Sequence, residues 1–131
     1  MKIDIRSRRD ALTAVLDEIN NPSRRDSTGL KKLDAAMGGG LFAGKAYGLQ
    51  ARKKIGKTVL LGTISYNLNL VGVKHLWIAA EMNDRELEQR HLARALDYNA
   101  VEFLKGEDLC LAEQVTEYNK TAPNNIVYAN A

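Results

Sequence analysis

Between residues 46 and 70 the chain runs from a brief apolar segment, Ala46-Tyr47-Gly48-Leu49-Gln50, through a cationic turn into a long uncharged stretch. The turn reads Ala51-Arg52-Lys53-Lys54-Ile55-Gly56-Lys57-Thr58. That order constrains the fold more than any other feature. The apolar segment suits a buried strand, and the stretch from Lys57 to about Leu70 suits a helix. Gly56 lets the backbone pass close to an anion, and the amides at the helix start point toward it. Strand, glycine-bearing turn and helix together form the context that a phosphate-binding loop requires. In such a loop Lys57 neutralises the β- and γ-phosphates, and the Thr58 hydroxyl ligates Mg²⁺. The strict pattern is Gly-x4-Gly-Lys-Ser/Thr, and here Ala51 stands at its first glycine. A cationic surface turn, with Arg52-Lys53-Lys54 simply solvated, is the alternative.

The flanking segments set this loop in an alternating chain. Leu12, Val15, Leu16 and Ile19 form one apolar stripe on a helix from Arg8 to Asn20. Ser7, three residues before Asp10, is placed to cap it, and Asn20-Asn21-Pro22 ends it. The stripe calls for a partner, either its own domain or a neighbouring subunit. Ser23 to Thr28 reads as a linker. A short helix carrying Leu30, Leu33 and Met37 follows, then the flexible turn Gly38-Gly39-Gly40. His75 to Ala80 is a continuous apolar run, as expected of a strand covered on both faces. Asn83, with Glu86 as its capping-box partner, starts a helix through Tyr98. Asn99 to Lys105 forms a short helix, Glu107 to Thr121 a longer one, and Ile126 to Ala129 a last strand. Strands alternating with helices predict an α/β fold, a parallel sheet with helices on both faces. The alternation runs over residues 28–131, after a helix and linker in residues 1–27.

Charge and composition narrow the function. Residues 1–60 carry 13 Lys/Arg against 6 Asp/Glu, net +7, while residues 61–131 carry 6 against 10, net −4. The basic half suggests an anionic partner. Its cations have no aromatic side chain interleaved, so a base-stacking platform is not evident. Cys110 is the only cysteine, which excludes an internal disulfide and a cysteine zinc cluster. It reads as a small core residue, as does Trp77, with Tyr47 and Tyr128 as strand packing. His75 and His91 are too far apart, without further ligands, to suggest a metal site. The longest uncharged run, Thr58 to Val73, is 16 residues with Asn67 and Asn69 inside it, too short and polar for a membrane span. No signal-peptide pattern opens the chain, so a cytoplasmic protein is expected. After the strand His75–Ala80 come Glu81 and Met82, where a carboxylate could orient a water facing the γ-phosphate. A helix-start carboxylate favoured by the macrodipole is the plainer alternative. Arg90 could brace that site through Glu81, against the commoner role of a solvated helix residue.

Taken in order, three segments carry a resemblance. Thr28-Gly29-x3-Leu33-Asp34, then Ala51-Arg52-x3-Gly56-Lys57-Thr58, then Glu81-Met82-x4-Leu87-x2-Arg90-x-Leu92-Ala93 resemble the RecA-type motor domain of DnaB-family replicative DNA helicases. Related recombinases and KaiC-type ATPases share the Thr-Gly-x3-Leu-Asp segment, and members of the DnaB family often begin the loop with Ala-Arg. The resemblance implies a RecA-like P-loop NTPase fold that binds ATP and Mg²⁺. It makes Glu81 and Lys57 catalytic, places nucleotide on residues 51–58, and puts Mg²⁺ on Thr58. It further implies DNA as a partner of the complete protein, and a hexameric ring in which the Arg8–Asn20 helix docks on the adjacent subunit. Lys53 and Lys54 stand where the family commonly has proline and a small residue. The Walker B aspartate is absent, so this chain reads as stopping before that strand and is expected to hydrolyse ATP poorly. A truncated helicase copy, a short nucleotide-binding protein, and a non-catalytic module that assembles with a RecA-like ring are the competing explanations.

Overall fold

The computed structural model describes residues 5–80, 82–99 and 109–130. In chain order its elements are α1 (Arg8–Asn20), β1 (Arg25–Asp26), α2 (Lys31–Ala36), β2 (Leu41–Phe42) and α3 (Lys57–Leu70). They continue with β3 (His75–Ala79), α4 (Asp84–Ala95), α5 (Leu109–Thr121) and β4 (Ile126–Asn130).

α1 begins where Ser7 and Asp10 cap each other. The Asp10 N–H donates to Ser7 Oγ at 3.2 Å, and the Ser7 N–H donates to Asp10 Oδ2 at 3.0 Å. These bonds hold the Asp10 carboxyl below its usual range. The helix stops at Asn21, just ahead of Pro22. None of its residues is buried, and Leu12, Val15, Leu16 and Ile19 are 53–69% exposed. The apolar stripe exists, and nothing among the described residues covers it.

The chain after α1 is stitched rather than loose. β1 pairs antiparallel with β2, Arg25 opposite Phe42 and Asp26 opposite Leu41. The Arg25 guanidinium lies 4.6 Å from the Phe42 ring centroid and donates to Gly38 O at 2.7 Å. Gly40 is buried at φ 128°, and a Cβ there would sit 2.5 Å from Asp26 O. The three-glycine turn is therefore a close backbone crossing with a defined path, instead of a flexible hinge.

β3 and β4 pair in parallel, with His75 opposite Ile126 through to Ala79 opposite Asn130. α3 packs against β3 through a polar contact, Ser65 Oγ to His75 Nε2 at 2.7 Å. Because Val73 O can only accept, His75 Nδ1 donates to it at 2.8 Å. α3 and α4 approach closely at Gly62, where a Cβ would meet the Leu87 side chain at 3.0 Å. Leu87, 1% exposed, fills that seam. Asn69 of α3 ties in the segment before β4. Its Nδ2 donates to Pro123 O at 3.1 Å, and its Oδ1 accepts the Asn125 N–H at 2.9 Å.

This arrangement corrects the expected fold class. Instead of a RecA-like parallel sheet with helices on both faces, the described residues form two two-stranded sheets, one antiparallel and one parallel. Ala46–Gln50 forms no strand and pairs with no described strand, with Tyr47 47% and Leu49 42% exposed; the Tyr47 hydroxyl accepts the Phe42 N–H at 3.0 Å. Apolar composition marks a segment able to enter a sheet, but a strand needs a neighbour to complete its ladder. The His75–Ala80 run was expected to be covered twice. Leu76 and Ile78 are 56% and 68% exposed, as is Val127 at 62%, so only one face of the β3–β4 pair is packed.

Smaller corrections follow the same logic. The helix expected through Tyr98 ends at Ala95, with Asp97 left-handed at φ 54°. Cys110, expected in the core, is exposed, and Trp77 is only partly buried, its indole N–H without a partner. Tyr128 does more than pack, since its hydroxyl donates to Glu88. The short helix expected over Asn99–Lys105 lies outside the described residues apart from Asn99.

Candidate functional site

Two loops singled out by the motifs flank α3. The first, Ser27 to Asp34, is organised by one carboxylate. Asp34 Oδ1 accepts the Thr28 N–H at 3.0 Å and the Thr28 hydroxyl at 2.6 Å, while Oδ2 accepts the Ser27 hydroxyl at 2.6 Å. The bonds to Ser27 and then Thr28 hold the Asp34 carboxyl below its usual range. Thr28 is fully buried, and its carbonyl accepts from Asn67 Nδ2 of α3 at 2.8 Å. Gly29 has φ 76°, and a Cβ would fall 2.3–2.9 Å from the Asn67 side chain. The Thr28-Gly29 segment thus anchors the chain to the last turn of α3.

The second loop, Ala51 to Gly56, is open. Lys54 and Gly56 both have positive φ, 63° and 98°, and Gly56 is the N-cap of α3. No side chain caps α3, and its first backbone bond is Leu60 N–H to Gly56 O at 2.9 Å. The N–H groups of Lys57, Thr58 and Val59 therefore have no acceptor within the helix. Ala51, Arg52, Lys53, Lys54, Gly56, Lys57 and Thr58 all border a cavity of about 500 Å³, with Val59, Met82 and Arg90 completing it. Ile55 does not, its side chain being 67% exposed. Glu81 lies outside the described residues, and its neighbour Met82 lines the cavity wall.

The electrostatics are one-sided. Arg52, Lys53, Lys54, Lys57 and Arg90 bring five cations to this cavity, and no described carboxylate borders it. None of the five forms a hydrogen bond or ion pair through its side chain with a described residue. Such a cavity can hold an anion, by charge and by the unsatisfied amides of the first α3 turn. Mg²⁺ would need few ligands from the chain here, since it ordinarily takes most of them from phosphate and water. Thr58 offers one hydroxyl at the cavity edge, and no cluster of three or more His, Cys, Asp or Glu occurs among the described residues.

Arg90, read from sequence as a possible brace through Glu81 or a solvated helix residue, is exposed and borders the cavity itself. It lies three residues after Leu87 and one before His91, on the face of α4 turned to α3. That spacing was the available signal. The same helix carries a polar chain away from the cavity. His91, 7% exposed, has Nε2 3.2 Å from Gly62 O and Nδ1 3.6 Å from Glu88 Oε1, and Glu88 accepts from Tyr128 of β4. The His91 bond, then that of Tyr128, holds the Glu88 carboxyl below its usual range against the opposing effect of burial. Burial, followed by the Glu88 contact, pushes the Tyr128 phenol far above its own.

Among the described residues no helix is long and apolar enough to cross a membrane. In comparisons with known proteins, no family model, curated protein or solved structure matches the chain.

Proposed function

We propose that the Ala51–Thr58 loop binds the phosphates of a nucleotide, ATP with Mg²⁺. The supporting observation is the cavity of about 500 Å³ bordered by five cations that pair with no described residue and by a helix start that no side chain caps. Lys57 supplies charge to the β- and γ-phosphates and Thr58 a hydroxyl to the metal, while Glu81 is the carboxylate proposed to act on water. The order of the Thr28–Asp34, Ala51–Thr58 and Glu81–Ala93 segments supports a narrower reading. On it, the chain is the ATP-binding part of a DnaB-like replicative helicase that acts on DNA in its complete form.

A thermal-shift titration with Mg-ATP tests the site. At a hundredfold excess over Kd a bound ligand stabilises by about 2.7 kcal/mol, a readily measured rise in Tm. Lys57→Ala should abolish that rise. A wild-type chain whose melting never responds to Mg-ATP refutes the nucleotide reading.

The uncovered stripe of α1 favours a second element of the proposal, assembly with further copies of the chain through that helix. An apolar helical face 53–69% exposed is ordinarily buried somewhere. Light scattering across a concentration series checks it, with Leu16→Ser as the disrupting variant.

A further inference from the structure

We propose that Arg90 is the residue by which this cavity distinguishes a triphosphate from a diphosphate; the inference rests on the nucleotide reading above. Two separate stretches of chain border the cavity. One is the loop and the first turn of α3, Ala51–Lys54 and Gly56–Val59; the other is Met82, just before α4, and Arg90, in the middle of that helix. Among the described residues, Arg90 is the one cation bordering the cavity that comes from outside the loop. Loop cations meet whatever phosphates lie along them, however many follow. A cation on the other stretch is engaged only by a phosphate chain long enough to reach it.

Three features leave Arg90 available. First, Glu86 lies four residues before it, the spacing at which helical Glu and Arg pair, yet no such ion pair forms. Second, Glu88, the other nearby carboxylate, is occupied by Tyr128 and faces His91. Third, the backbone beneath Arg90 is fixed, because Leu87 and His91 are buried against α3 on either side of it in sequence. The chemistry also suits the role. A guanidinium is planar, permanently charged and able to grip phosphate oxygens in pairs, which an ammonium group cannot do. Arg90 also borders a second, mostly apolar groove of about 340 Å³ between α3 and α4, so it stands at the junction of the cavity and the seam.

The test measures affinities of the full chain for Mg-ATP, Mg-ADP, inorganic tripolyphosphate and pyrophosphate by calorimetry. Wild type, Arg90→Ala, Arg90→Lys and Lys57→Ala are compared. Arg90→Ala should weaken ATP and tripolyphosphate by about tenfold or more, and ADP and pyrophosphate by less than about threefold. Arg90→Lys should recover only part of the loss, and Lys57→Ala should weaken all four ligands. Equal weakening of tri- and diphosphates by Arg90→Ala overturns the proposal, because it would reduce Arg90 to general attraction. Unchanged affinities in that variant overturn it too. If wild type binds no phosphate ligand at all, the nucleotide reading itself fails and this inference falls with it. Arg90 is exposed, so unliganded melting should stay near wild type; Arg90→Lys repeats the comparison with charge retained.

Discussion

The two loops that meet α3, one held by Asn67 near its end and one leading into its start, differ in what happens to their polar groups. In Ser27–Asp34 one carboxylate takes three donors and a carbonyl takes a fourth from Asn67. In Ala51–Gly56 the positive charges pair with no described residue and no side chain caps the helix start. Both loops use glycine in the left-handed region, Gly29 at 76° and Gly56 at 98°. The surroundings differ: Gly29 is pressed against Asn67, whereas the nearest atom to a Cβ on Gly56 is 3.9 Å away. A loop that satisfies itself is a structural joint. A loop that leaves amides and cations facing a cavity has room for a ligand. Changes in the first should therefore alter stability, and changes in the second should alter binding.

The sharpest break would come from Asp34→Ala. It strips the acceptors from buried Thr28, and leaving such donors unmet costs about 1–3 kcal/mol each. Urea unfolding should show a loss of that order; a loss below about 0.5 kcal/mol would mean the turn is not a joint. Gly29→Ala should follow, at about 1–3 kcal/mol for forcing a side chain into the left-handed region, with the Asn67 contact adding to it. Gly56→Ala incurs the backbone strain without the clash, so it should destabilise less than Gly29→Ala while still reducing nucleotide binding.

Acid separates the loops by a different route. Asp34 and Glu88 have carboxyls held below their usual ranges, so the unfolded chain binds protons more readily than the folded one. Their contribution is complete above the ordinary carboxylate range of about pH 4 and is lost as pH falls through the depressed folded values. Asp34→Asn should flatten the acid limb of a stability-versus-pH curve, whereas Lys57→Ala should leave its shape intact. Smallest of all, Lys57→Ala without nucleotide should change stability by no more than about 0.5 kcal/mol, as expected of an exposed side chain. A larger loss would show that the open loop carries structure after all.

Legibility from sequence followed the range of the forces involved. The bounds of α1 and α3 were readable because helix hydrogen bonds and the Ser7–Asp10 cap span only three or four residues. Asn83 was likewise readable as the N-cap of α4, accepting the Glu86 N–H at 2.9 Å. The two-residue strands β1 and β2 carry no period to read, and only their pairing reveals them. Asn67 and Asn69 stood out merely as polar interruptions of an apolar run. Their work, holding Thr28 and the segment before β4, spans 39 to 56 residues of chain. The sheet was the largest miss, because Ala46–Gln50 has strand composition but no described partner to pair with.

Local spacing by itself determined the bounds of α1 and α3, the N-caps of α1 and α4, the placement of a cationic glycine loop at the start of α3, and the charge imbalance between the halves. Those features depend on residues a few positions apart, and the chain carries them wherever it folds. Tertiary structure decided which apolar segments pair, which glycines are pinned, and that Arg90 joins the loop residues around one cavity. Each of these requires segments distant in sequence to meet, and no local pattern specifies which of several compatible neighbours will be there.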